Sequence, residues 1–215
     1  TRKESSAASD VYKRQLFNYY GAEDADEVII AMGSVCDTIS ETVDYLNANG
    51  RKVGLVKVRL YRPFSVKHLV AAIPSTVKKI SVLDRTKEPG SIGEPLYLDV
   101  VAALRDTEFA NVPVYTGRYG LGSKDTTPAQ IIAVFKNTEK KRFTIGINDD
   151  VTNLSLALDE NPDTTPAGIT SCKFWGLGAD GTVGANKNSV KIIGDHTDMN
   201  LSLIHISEPT RRRGI

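Results

Sequence analysis

Gly176, Gly178, Gly181 and Gly184 fall at the spacing G-x-G-x-x-G with one further glycine, in the run GLGADGTVGANKNS. Glycines so placed let a backbone approach a ligand closely, and the amides of a following helix attract a phosphate or pyrophosphate. Thr182 adds a hydroxyl at the helix start, and Lys187 and Asn188 lie further along the same helix. The set fits an anionic, nucleotide-like ligand, NAD or FAD being one instance. Close packing of a strand on a helix accounts for the same glycines without any ligand. The acid that would mark a ribose of NAD belongs at the end of a second strand, and none follows the motif in this sequence.

A second set is charged. Arg59, Arg62, Asp84, Arg85 and Lys87 fall just after apolar strand-like runs, where an open α/β sheet offers its carboxyl edge to ligands and neighbouring domains. They are candidates for an anion site or an interdomain contact, against the alternative of solvated turns. Cys36 sits at a predicted helix start, where a thiolate is stabilised, but no histidine lies nearby in sequence to activate it, so a small buried residue is expected. His68 and His196 have no partner at metal or triad spacing. No catalytic residue and no metal site are expected in this chain.

The elements that must position these residues repeat. After Glu27 the run VIIAMGSV reads as a buried strand that stops at Gly33 and Ser34, followed by a helix through Ile39, Val43 and Leu46 that Gly50 ends. Val53–Val58 is a second strand, and Ser65 is a plausible N-cap for the helix behind it. Ile80, Val82 and Leu83 form a third strand that should stop where Asp84 begins the charged loop. Pro95 in the first turn, with Glu94 beside the positive helix end, opens a helix whose Leu96, Val100 and Leu104 share a face. Val112–Thr116 is a fourth strand, and Thr126, Thr127 and Pro128 open a helix through Ile131 and Phe135. Successive strand–helix units predict an α/β, doubly wound, mostly parallel sheet with right-handed crossovers. Phe143–Ile147 can add a strand. The Asp-, Asn-, Thr- and Pro-rich stretch that follows reads as a connection to a second, incomplete α/β domain.

Composition narrows the class. The chain has 215 residues, 40% hydrophobic and 25% charged, with a net charge of +1. That is ordinary globular composition, with no electrostatic reason to expect nucleic acid or an anionic membrane, and no apolar run of about 18 residues. Two cysteines, Cys36 and Cys172, make neither a disulfide framework nor the four-cysteine ligand set of an iron–sulfur cluster, and a cytoplasmic location fits them. Residues 1–15 and 201–215 share no hydrophobic period with their neighbours and resemble translated sequencing-adapter read-through, so both are expected to lie outside the fold.

Four long runs in order, VLDRTKEPGSIGEPLYLDV, GRYGLGSKD, FTIGINDDVTNLSL and KFWGLGADGTVGANKNSVKIIGDHTD, resemble pyruvate:ferredoxin (flavodoxin) oxidoreductase, from about Leu16 to Met199. The resemblance implies a transketolase-C-terminal-like domain at 16–144, a connection at 145–168 and, at 169–200, the start of the gamma-type domain that the family associates with coenzyme A. It implies an oxidoreductase that decarboxylates pyruvate to acetyl-CoA and CO2 on thiamine diphosphate and Mg2+, with [4Fe-4S] clusters passing electrons to ferredoxin or flavodoxin. The family's thiamine, magnesium and cluster sites lie in other domains, so the fragment alone is expected to be inactive. Its implied partners are the remaining domains of the same enzyme, arranged as a homodimer. It also turns the glycine run into a candidate contact for coenzyme A. Alternatives are a noncatalytic docking domain of a transketolase-like enzyme and a dinucleotide-binding protein.

Overall fold

The computed structural model describes residues 15–148, 151–164, 168, 170, 172, 181–198 and 201. The chain divides into two compact units, residues 1–165 and 166–215.

In the first unit, alternating apolar positions make strands that are buried on both faces. The elements are β1 (Phe17–Gly21), β2 (Glu27–Ala31), α1 (Val35–Ala48), β3 (Val53–Val58), α2 (Val66–Ala72), β4 (Lys79–Asp84), α3 (Pro95–Leu104), β5 (Val114–Arg118), α4 (Pro128–Lys136) and β6 (Arg142–Thr144). They build one six-stranded sheet in the order β1-β3-β2-β4-β5-β6. β1 is antiparallel to β3, and the other neighbours are parallel. The sequence reading lacked β1. FNYYG is a short run of mixed polarity that becomes a strand because β3 offers it an edge, and Tyr19 lies across Gly54, where a Cβ would overlap its ring.

Ile29, Leu55, Leu83, Tyr115 and Phe143 point to the face that α1 and α4 cover, while Val28, Ile30, Val56, Ile80 and Val82 point to the face of α2 and α3. The sheet is doubly wound, as expected. One crossover departs from the expected hand. β2 to β3 runs toward β1 and β5 to β6 runs the other way, yet α1 and α4 lie on the same face and pack together. The β5–α4–β6 unit therefore has the opposite hand from the rest, a rare arrangement. It is the one that lets α4 cover the face of β4 and β5 that α1 leaves open.

Three local expectations are also corrected. The fourth predicted strand begins at Val114 rather than Val112 and runs on to Arg118. Ser65 does stand at the N-cap of α2, but its side chain makes no cap, its hydroxyl being paired with His68 Nδ1 at 2.7 Å. Asp84 is the buried last residue of β4, not the first of an exposed loop. After β6 the chain loops round to make an isolated parallel bridge between Thr144 and Ser155, with Thr144 N donating to Leu154 O and Leu156 N donating to Thr144 O.

In the second unit, α5 (Thr182–His196) follows Gly181, whose φ of +85° suits glycine at the helix entry, and none of its described side chains is buried.

Candidate functional site at the carboxyl edge of the sheet

The winding reverses between β2 and β4, since β3 lies on one side of β2 and the chain then crosses back to β4. Open α/β sheets bind ligands at such a reversal, outside the carboxyl ends of the strands. Here those ends are Ala31 and Asp84. Gly33, at φ +83°, turns the chain from β2 into α1.

Tyr119 bridges this crevice from β5. Its hydroxyl donates to Met32 O at 3.1 Å and its amide donates to Asp84 O at 3.1 Å. Burial raises its pKa, helped by the neighbouring Cys36. Cys36 is buried at the start of α1, and that burial pushes its thiol up to about 11 against the pull of Lys57 and Arg59. A thiol that stays protonated at neutral pH is a poor nucleophile, so the small buried residue expected from the sequence is what forms. Arg85 lies over Gly120, where an added Cβ would come 3.0 Å from Nε.

Under the loop after β4 lies a buried charge network. Asp84, 2% exposed, accepts from the amides of Leu96 at 3.0 Å and Tyr97 at 3.1 Å, and so caps α3. Glu94, 1% exposed, accepts from the Glu88 amide at 2.8 Å and pairs with Arg118. Glu94 was legible as an acid near a helix start. Its pairing with Arg118 on another strand, and the bridge made by Tyr119, had no sequence signal.

The five charged candidates therefore separate. The charge of Arg59 acts on the Cys36 thiol and that of Arg85, which lies beside Gly120, on the Tyr119 hydroxyl, each lowering the pKa. Asp84 is spent on the amides of α3. Arg62 stands apart, stacked 4.0 Å over the Tyr61 ring and paired with Asp99 at 2.7 Å, while Tyr61 donates to Asp99 at 2.6 Å. Lys87 is exposed in the loop.

Of the glycine run, Gly176 and Gly178 lie outside the described residues, as do residues 1–14 and 202–215 of the two ends. Gly181 and Gly184 have no described atom within 4 Å of where a Cβ would stand. Lys187 and Asn188 are exposed on α5. Among the described residues no group of three or more His, Cys, Asp or Glu could hold a metal ion. Cys36 is buried in the first unit, and Cys172 is exposed in the second.

Residues 25–131, from the entry to β2 into α4, match the family described as pyruvate:ferredoxin oxidoreductase core domain II. The chain is 61% identical over 189 residues to a pyruvate-flavodoxin oxidoreductase of Enterobacter agglomerans and 60% identical over 188 residues to a pyruvate:ferredoxin oxidoreductase of Moorella thermoacetica, with 86% of this chain aligned in each case. The chain belongs to the pyruvate:ferredoxin oxidoreductase family. It spans 16% of the length of these two relatives. A pyruvate dehydrogenase [NADP(+)] of Euglena gracilis, described as mitochondrial, is 51% identical over 191 residues, of which the chain spans 11%. Among solved structures, a 2-oxoglutarate:ferredoxin oxidoreductase from Magnetococcus marinus, with 2-oxoglutarate, coenzyme A and succinyl-CoA bound, is 24% identical at a TM-score of 0.43, covering 60% of this chain and 20% of that one. No helix among the described residues is long and apolar enough to cross a membrane.

Proposed function

We propose that this chain is the core-domain segment of an enzyme that oxidises pyruvate to acetyl-CoA and CO2, with ferredoxin or flavodoxin as electron acceptor. The observation that carries this reading is identity of about 60% across 86% of the chain to enzymes named for that substrate. Acceptors vary among the relatives' names while pyruvate recurs, which favours pyruvate as the common element.

The segment's part is structural. Its buried carboxylates hold the carboxyl-edge loops in one conformation, and its described residues do not fit an iron–sulfur or metal centre. Thiamine diphosphate with Mg2+, [4Fe-4S] clusters and coenzyme A supply carbanion stabilisation, electron transfer and acyl capture in such an enzyme. We assign those centres to the remaining domains, the coenzyme A contact excepted. A homodimer in the cytoplasm completes the proposal.

For coenzyme A, the segment from Gly176 to Asn188 is the proposed contact with the diphosphate. Among the described residues nothing crowds Gly181 or Gly184 at the start of α5, and Lys187 supplies a cation on the same helix. A charge-assisted hydrogen bond is worth roughly 1.5–3 kcal/mol, so Lys187→Ala should weaken binding about tenfold or more. Titrating coenzyme A and NAD separately into the full-length enzyme and this variant tests the assignment. Unchanged coenzyme A affinity in the variant removes Lys187 from the site, and tight NAD binding replaces the reading with a dinucleotide-binding one. Acetyl-CoA formation from pyruvate by the full-length enzyme tests the activity itself.

A further inference from the structure

We propose that Asn49 is a modification site, at which the chain cyclises through Gly50 and loses ammonia, leaving aspartate or isoaspartate. Asn49-Gly50 is the one asparagine–glycine pair in the sequence. The reaction needs the main-chain nitrogen of the next residue to reach the side-chain carbonyl carbon, and a glycine there puts no Cβ in the way.

The fold sets this asparagine apart from its neighbours. α1 ends at Ala48, so Asn49 is its C-cap, at φ −94° and ψ 20°, and Gly50 follows at φ +80°. Both residues are exposed, and nothing described lies within 4 Å of where a Gly50 Cβ would stand. Asn47 is half-buried, precedes Ala48 and has both side-chain atoms engaged, Nδ2 donating to Val53 O at 3.1 Å and Oδ1 accepting from Val53 N at 2.9 Å. Asn137 is buried and held at both atoms by Lys140. Asn186 and Asn188 lie inside α5, where the next amide is tied into the helix.

Two hydrogen bonds must open first. Asn49 Nδ2 donates to Tyr45 O at 2.7 Å, and Gly50 N donates to Asn47 O at 3.1 Å. Both belong to the last turn of α1, at an exposed helix end, where a fold opens at least cost and water takes over the released groups. Hydroxide removes the Gly50 amide proton, and the nitrogen attacks Asn49 Cγ. The bond from Cγ to the side-chain nitrogen breaks, and that nitrogen takes a proton from water and leaves as ammonia. Water then opens the succinimide ring at either carbonyl. The new carboxylate sits at the negative end of the α1 dipole and can no longer donate to Tyr45 O. Isoaspartate also adds a methylene to the main chain ahead of Arg51, whose amide donates to Leu46 O at 3.0 Å. Asn47, fixed to Val53, confines the change to the helix end.

The test incubates the full-length enzyme at mildly alkaline pH and follows it by peptide mass spectrometry and isoelectric focusing, beside Asn49→Gln. The expected result is an amide-to-acid mass gain that accumulates at Asn49 roughly tenfold or more faster than at Asn47 or Asn188, whose following residues carry a side chain. An acidic isoform should grow in the wild type and be missing from Asn49→Gln. Equal rates at these asparagines, an intact Asn49, or an acidic isoform that persists unchanged in Asn49→Gln overturns the proposal. Pyruvate oxidation is no part of the readout, so the outcome is independent of the functional reading.

Discussion

Asp84 and Leu96 are joined by a hydrogen bond of 3.0 Å from the Leu96 amide to the Asp84 carboxylate, which makes the last residue of one strand the cap of the helix that follows. The Tyr97 amide takes the second oxygen at 3.1 Å. Asp84→Ala removes both acceptors and leaves two amides at a buried helix start, at a cost of about 2–4 kcal/mol. Asp84→Asn keeps one acceptor and should cost about 1 kcal/mol. Chemical denaturation of the three proteins measures the series, and equal midpoints would refute the capping role.

The same carboxylate sets a pH dependence. Burial raises the Asp84 pKa, the Leu96 and Tyr97 amides pull it down in part, and Glu94 and Asp99 push it up again, with a net rise. The folded protein therefore holds this proton to higher pH than the unfolded chain does. Stability from the protonated form is complete below the unfolded pKa and is lost as pH rises through the folded one. The Tm advantage of wild type over Asp84→Asn should accordingly shrink as pH climbs above about 4, the range of an unperturbed Asp. A constant advantage across that range would show that ionisation carries no penalty here.

Lys79 is the second buried charge to test. Its ammonium donates to Phe135 O at 2.5 Å and Asn137 O at 3.1 Å, at the carboxyl end of α4, and pairs with Glu27 at 2.6 Å. A cation there complements the helix dipole and satisfies terminal carbonyls. Lys79→Met keeps much of the side-chain volume but strands those carbonyls, and should cost about 2–4 kcal/mol. Glu27 retains Arg51 at 2.9 Å, which keeps the loss at the lower end. Urea midpoints decide it, and a loss under about 0.5 kcal/mol would show that the pair and its carbonyls contribute little net stability.

The two thiols should differ sharply. Cys172 is exposed, while Cys36 is buried with its pKa pushed up to about 11. A thiol reagent at pH 8 should label one cysteine of the folded 215-residue chain rapidly, and the second only in denaturant. Rapid labelling of both in the native protein would mean that Cys36 is reached by solvent.

Local signals were strong where they were repetitive. Ile39, Val43 and Leu46 at helical spacing, Gly50 at a helix end, and Pro128 at a helix start each state their element within a few residues, because backbone preference and burial face are local properties. The alternation of strands and helices was enough to imply a doubly wound sheet. The glycine run was equally legible as a pattern, since spacing alone makes it.

Other features exist only because distant segments meet. FNYYG becomes β1 through the edge that β3 presents, and Asp84 reads as a loop residue until the start of α3 is brought over it. Arg118 finds Glu94 from 24 residues away, across the gap between a strand and a helix. The reversed hand of the β5–α4–β6 crossover depends on which face of the sheet was left uncovered, a property of the assembled layers. The sequence by itself determined most of the elements, the fold class and the family resemblance, because periodicity, capping and motif order are written residue by residue. Only the tertiary structure decided which charges are buried partners and which face solvent, because pairing and desolvation depend on the packing of segments far apart in the chain.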